Sequence, residues 1–168
     1  MLPVSEKPST VLFLCTGNSA RSIMAEVMLN RLGGERFTAY SAGSHPKGTV
    51  HPLALETMQS MGLPVDGLRS KSWEEFAGPG APALDVIVTV CDDAAGEVCP
   101  IWPGQPITAH WSVEDPAAFQ GTQDAHRAKF HEVALILRQR IERFLSVPLA
   151  TMDRRTMQAT LKEIGQGV

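Results

Sequence analysis

Cysteine, tyrosine and surplus basic charge are all scarce in this chain. Only three cysteines, Cys15, Cys91 and Cys99, occur among its 168 residues. An odd count excludes a disulfide-framework domain, and no Cys-x-x-Cys pair marks structural zinc. The formal net charge is −3, so the basic footprint of a nucleic-acid binder is missing, as is a Lys/Arg block for an anionic membrane surface. Any anion site must therefore be local. The longest apolar run, residues 86–91, is far too short to span a bilayer. Residues 1–8 carry Glu6 and two prolines where a secretory signal would be apolar. A soluble, cytoplasmic protein is the expectation. The five histidines, His45, His51, His110, His126 and His131, show no metal-ligand spacing and read as surface or loop residues.

What remains is an ordinary globular balance, 43% hydrophobic and 20% charged. The length fits one domain over residues 1–168, with a core at about 10–146 and a C-terminal extension at 147–168. Residues 11–14 form a short apolar, partly β-branched run that reads as a buried strand. From Ser22 the period changes: Ile23, Val27, Leu29 and Leu32 sit at near-helical spacing until Gly33-Gly34. Strands are expected at 37–41, 84–91 and 105–111, and helices at 52–61 and 124–145. The long helix carries one apolar stripe of Phe130, Val133, Ala134, Leu137, Ile141 and Phe144. A last short helix is expected at 152–164, and a turn at 78–82. Strands alternating with helices predict an α/β fold with a mainly parallel sheet.

The segment Cys15-Thr16-Gly17-Asn18-Ser19-Ala20-Arg21-Ser22 leads from a predicted strand into a predicted helix. Cys-x5-Arg by itself is also what a buried strand-end cysteine and a surface arginine would give. The strand–loop–helix context favours an anion cradle, in which backbone N–H groups turn inward and the helix dipole adds positive potential. Arg21 can hold two oxygens of a tetrahedral oxyanion. The same field favours the Cys15 thiolate, a nucleophile placed for in-line attack. Ser22 is a candidate donor to that thiolate, and Asn18 a brace for the loop.

These eight residues resemble the phosphate loop of the low-molecular-weight protein tyrosine phosphatases and of the arsenate reductases that share their fold. The similarity extends at least over residues 11–145. It implies a three-layer α/β sandwich with a central parallel four-stranded sheet flanked by helices. It assigns the nucleophile to Cys15 and oxyanion binding to Thr16, Gly17, Asn18, Ser19, Ala20, Arg21 and Ser22. The pair Asp115-Pro116 reads from spacing alone as a helix start, Asp as cap and Pro at the first position. The family places a general acid in such a pair, which implies that Asp115 protonates the leaving oxygen, with Glu114 as the competing carboxylate.

Cys91 and Cys99 separate the two activities of that family. Cys91 ends a predicted strand, where functional groups of α/β sheets collect. Cys99 follows in a Gly- and Asp-containing loop. The two are either apolar loop or core residues or partners in a relay of thiol–disulfide exchange that begins at Cys15. The stretch 88–92 with Cys99-Pro100 resembles the redox segment of three-cysteine arsenate reductases. Ile23, where many of the phosphatases have proline, and the single tyrosine, Tyr40, fit the same choice. The resemblance implies reduction of arsenate to arsenite, with phosphate or sulfate as competing anions. Thioredoxin is the expected external thiol reductant, and glutaredoxin with glutathione the alternative; neither nucleic acid nor membrane is expected as a partner. A phosphatase acting on phosphotyrosine or small phosphomonoesters, and a non-enzymatic redox sensor, are the competing readings. No tightly bound cofactor is expected. The family's monovalent cation site is matched at Asn18, Glu26 and Ser41, with Ser72 standing where an acidic fourth ligand would be; Glu26 also reads as a solvated helix carboxylate.

Overall fold

The computed structural model describes residues 8–90 and 106–166. Four strands form one parallel sheet in the order β2-β1-β3-β4: β1 (Ser9–Cys15), β2 (Phe37–Gly43), β3 (Val86–Thr89) and β4 (Ile107–His110). The expected parallel four-stranded sheet is thus present. β1 lies between β2 and β3, and both its faces are covered. Its residues are accordingly apolar without a break from Val11 to Leu14, as a doubly covered parallel strand requires. The β3 ladder is shorter than expected. Its N-terminal side is fixed by Asp85, whose carboxylate accepts from Thr10 N at 2.8 Å. Cys91 and Gln105, at the ends of two expected strands, lie outside the described residues, as does Cys99.

The four α-helices among the described residues all contribute to the larger core, on one face of the sheet. They are α1 (Arg21–Gly33), α2 (Pro52–Ser60), α3 (Gln123–Ser146) and α4 (Arg154–Gln166). Val11, Phe13 and Cys15 of β1 point into this cluster, among Met24, Met28, Val86, Val88, Phe130, Leu137 and Ile141. Leu12 and Leu14 point the other way, into a smaller cluster with Phe76, Leu84 and Ile87. That alternation is the period of two expected of a strand.

The helices stop and start for local reasons. α1 ends where Gly34 takes φ 57, a left-handed value that glycine adopts without a Cβ clash. α3 is capped by Thr122, whose hydroxyl accepts from Ala125 N at 3.1 Å. Its expected stripe is buried, and Arg140 is buried on the same face. The Arg140 guanidinium donates to Trp111 O (3.0 Å) and Ser112 O (2.6 Å). No helix among the described residues is long and apolar enough to cross a membrane.

The C-terminal helix is part of the core. Leu161 and Ile164 are buried in the larger cluster, and the Trp111 indole donates to Leu161 O at 2.9 Å. A Cβ at Gly165 would lie 2.2 Å from His110 O, so only glycine permits this approach of α4 to the end of β4. Leu161→Ala should therefore cost about 2–5 kcal/mol, read as a lowered midpoint in urea and in heat. Unchanged midpoints would mean that α4 contributes nothing to the folded core.

Candidate active site

β1 carries Cys15 to the carboxyl edge of the sheet, where it is 5% exposed. In register beside it stands Gly43, the last residue of β2. A Cβ at Gly43 would meet Thr16 O at 2.5 Å and Cys15 O at 2.7 Å. The loop can fold back over the strand ends only because that side chain is absent.

The loop's outer rim is bonded to the segment that follows β2. Thr16 O accepts from His45 N (2.9 Å), Gly17 O from Lys47 N (2.9 Å) and Ser19 O from His51 N (2.8 Å). A trans peptide points its N–H opposite to its C=O. With these three carbonyls turned outward, the N–H groups of Gly17, Asn18 and Ala20 turn inward. Asn18 takes φ 43, the left-handed region that asparagine tolerates. Both ends of its side chain are bonded: Oδ1 accepts from Lys71 N (2.8 Å) and Nδ2 donates to Ser22 Oγ (2.9 Å). Ser22 thereby keeps its own proton to donate.

α1 starts at Arg21 after Ala20, which has no capping side chain, and its first turn holds no acidic residue. The helix's first N–H groups and its positive dipole end are left for a ligand. The Arg21 side chain is 13% exposed and crosses to the loop after β4. Nη1 donates to Val113 O at 3.0 Å, and Nη2 lies 3.6 Å from Asp115 Oδ2. Asp115 caps a short turn, as the Asp-Pro spacing predicts. Its Oδ1 accepts from Ala117 N (3.0 Å), which caps the short 3₁₀ turn Pro116–Ala118. Its other oxygen faces the guanidinium. His126 Nε2 donates to Pro116 O at 2.7 Å and holds this turn against α3. Glu114 is engaged elsewhere, by Lys129 Nζ at 2.8 Å.

Together Cys15, Thr16, Gly17, Ser19, Ala20, Arg21, His45, Lys47 and Asp115 line a cavity of about 240 Å³. No phenylalanine, tyrosine or tryptophan is among them. Tyr40 packs instead on Phe76 in the smaller cluster, ring centroids 5.3 Å apart. A wider cleft of about 570 Å³ lies between β4 and α4, but among the described residues its wall holds neither a cysteine nor a guanidinium, so the smaller cavity is the candidate site.

Sequence reasoning missed His45, Lys47 and Gly43. The basic pair at the cavity mouth reads as an ordinary polar loop until the backbone bonds to Thr16 and Gly17 are seen. It read every histidine as a surface or loop residue; His51 does sit at a loop end, but its ring and that of His126 are half-buried between the phosphate loop and the turn of Asp115. His51 and His126 stand 5.9 Å apart, each against Phe130. Burial pushes the His51 pKa down, helped by His126 and Lys47 and opposed by Asp115.

The proposed cation ligands Asn18, Glu26 and Ser41 are linked through Lys71 and Glu26, and the charge beside Glu26 is one the chain supplies itself. The Lys71 ammonium lies 3.6 Å from Glu26 Oε1 and donates to Arg69 O at 3.2 Å. The Ser41 hydroxyl donates to the same Glu26 oxygen. Ser72 is not the fourth ligand, because its hydroxyl accepts from Glu74 N (3.2 Å) and caps the turn Trp73–Phe76. Glu26 is not a solvated carboxylate either: its side chain is 15% exposed. These residues do not fit a separate monovalent ion. No cluster of His, Cys, Asp and Glu suited to a metal occurs among the described residues.

A strand-end thiol under inward N–H groups, a helix start and a guanidinium defines a class, and comparison gives the same class. The chain belongs to the family described as low molecular weight phosphotyrosine protein phosphatase, matched over residues 10–159. It is similar to the arsenate reductase of Bacillus licheniformis, 35% identical over 136 residues, covering 80% of this chain and 94% of that protein. The arsenate reductase of Bacillus subtilis is 35% identical over 134 residues, covering 80% and 93%. The fold matches that of an arsenate reductase solved in its phosphate binding state, with TM-score 0.66 and 28% identity over 82% of this chain and 97% of that one. A thioredoxin-dependent arsenate reductase of Corynebacterium glutamicum shares the fold at TM-score 0.55 and 24% identity, covering 83% and 64%.

The field around Cys15 should hold its pKa below the free-thiol value of about 8.5. Iodoacetamide alkylation followed against pH should show that lowered midpoint, and inorganic phosphate should protect the thiol. A midpoint at the free-thiol value with no protection by phosphate would mean that the cradle does not act on Cys15.

Proposed function

We propose that this protein reduces arsenate to arsenite, with Cys15 as nucleophile. The cavity wall carries the reading. Among the described residues it holds a thiol, a guanidinium, the Lys47 side chain at the mouth and the Asp115 carboxylate, and no aromatic ring to sandwich an aryl ester. That inventory suits a free tetrahedral oxyanion. The identity to arsenate reductases over four-fifths of the chain supports the same substrate.

The Cys15 thiolate attacks arsenic in line, and one oxygen leaves as water with a proton from Asp115. Arg21 and the inward N–H groups hold the remaining oxygens. The Ser22 proton stabilises the thiolate before attack. The Cys91 thiolate then attacks the sulfur of Cys15. An S–S bond forms, the S–As bond breaks, and its electron pair stays on arsenic, which leaves as arsenite. The Cys99 thiolate next attacks Cys91 and frees Cys15, so that two thiols have been oxidised to one disulfide while arsenic gained two electrons. Reach supports the first exchange: Val90, the residue before Cys91, donates its N–H to Leu14 O at 2.9 Å, and Leu14 is the residue before Cys15. An internal Cys91–Cys99 disulfide suits a dithiol protein as reductant, and thioredoxin is the one named for the fold neighbour from Corynebacterium glutamicum. A relay that starts from three reduced cysteines belongs in a reducing compartment, the cytoplasm.

Arsenite release should be measured over many turnovers with thioredoxin, its reductase and NADPH. Cys15→Ser, Cys91→Ser and Cys99→Ser should each lose multiple turnover. Normal turnover by Cys91→Ser and Cys99→Ser with a dead Cys15→Ser would remove the relay. Phosphomonoester hydrolysis that needs Asp115 and ignores Cys91 would instead make the protein a phosphatase. In the same assay Lys47→Met should raise KM for arsenate about tenfold, or about 1.4 kcal/mol, with kcat nearly held, because its charge serves binding alone. A fall in kcat at constant KM would place Lys47 in the chemical step instead.

A further inference from the structure

Lys71 and Glu26 form a nearly buried ion pair that the chemistry above does not use. Their side chains are 7% and 15% exposed. Burial pushes the Lys71 pKa down and the Glu26 pKa up, and each charge opposes the shift of the other. A buried pair of this kind is a weak source of stability, because desolvation offsets most of the attraction. Its position gives it another use. Lys71 is joined to three parts of the site at once. Its N–H donates to Asn18 Oδ1 in the loop (2.8 Å), its C=O accepts from Gly43 N at the end of β2 (2.9 Å), and its ammonium faces Glu26 on α1. Ser41 of β2 donates to the same carboxylate. Asn18, held in a left-handed conformation, therefore has its side-chain oxygen fixed by the residue whose ammonium neutralises Glu26.

We propose that the Lys71 ammonium is a built-in cation beneath the phosphate loop, which fixes Asn18 and makes oxyanion binding independent of any monovalent ion. Lys71 is a positioning residue that acts on the ligand through Asn18. The inference rests on the oxyanion-binding part of the proposed function alone. Its readout is inorganic phosphate, so it stands or falls separately from arsenate reduction.

Phosphate affinity is measured by calorimetry in potassium chloride and in tetramethylammonium chloride at equal ionic strength, for the wild type, Lys71→Arg and Lys71→Ala. The wild type should differ less than about twofold between the salts, and Lys71→Arg should keep that indifference. Lys71→Ala opens the space beside the Glu26 carboxylate, to which Ser41 also donates. It should bind phosphate about tenfold more weakly in tetramethylammonium and recover most of that loss in potassium, whose ion can enter where the larger one cannot. A Lys71→Ala chain that folds in potassium only, read by circular dichroism, is the same result. A several-fold potassium response of the wild type would overturn the proposal. So would a Lys71→Ala variant with unchanged affinity, or one that potassium neither folds nor restores.

Discussion

Helix α1 begins without a capping side chain, and the site is organised around the N–H groups this leaves over. The usual remedies are missing: the Ala20 side chain cannot accept a bond and the first turn holds no acid. A helix start left open in this way suits an anion. The carbonyls of Thr16, Gly17 and Ser19 are drawn outward by the backbone of His45, Lys47 and His51, so the loop keeps its donors turned inward before any ligand arrives. Preorganisation of this kind lets a chain of net charge −3 attract an anion. The field is local and owes nothing to overall charge.

The acid turn is held as firmly as the loop. Arg140 on α3 binds the carbonyls of Trp111 and Ser112, Arg21 binds that of Val113, and His126 binds that of Pro116. Four carbonyls in six residues are thus pinned by side chains from two helices. The turn carries Asp115 at a fixed distance from the guanidinium it faces. One oxygen of the Asp115 carboxylate caps its turn while the other faces the Arg21 guanidinium, so the capping role leaves an oxygen turned to the cavity.

What could be read from the sequence follows the range of the interactions. The loop from Cys15 to Ser22 was legible because strand, loop and helix start are contiguous and each has a local signature. The long stripe on α3 was legible for the same reason, although Arg140 within it was not, since a buried arginine needs carbonyls supplied by another element. Lys71 was missed by one place, with Ser72 named instead. Successive residues of an extended segment face opposite ways, and the Gly43–Ser72 bridge that sets the phase joins positions far apart in sequence. Gly43 itself looks like an ordinary strand end until the loop is folded against it. α4 has few apolar residues, but Leu161 and Ile164 are placed on the face that meets Trp111.

The phosphatase-like cradle and the three thiols make different demands on the chemistry. The cradle binds and activates, and a single thiol would suffice for ester hydrolysis. Reduction needs two electrons from sulfur within one chain. The most direct measurement is a single turnover without any external reductant. The fully reduced protein is mixed with excess arsenate under anaerobic conditions, arsenite is quantified, and the disulfide formed is mapped by mass spectrometry. The account predicts one arsenite per chain with loss of two thiols and a Cys91–Cys99 bond. No arsenite, with all three thiols intact, would contradict it.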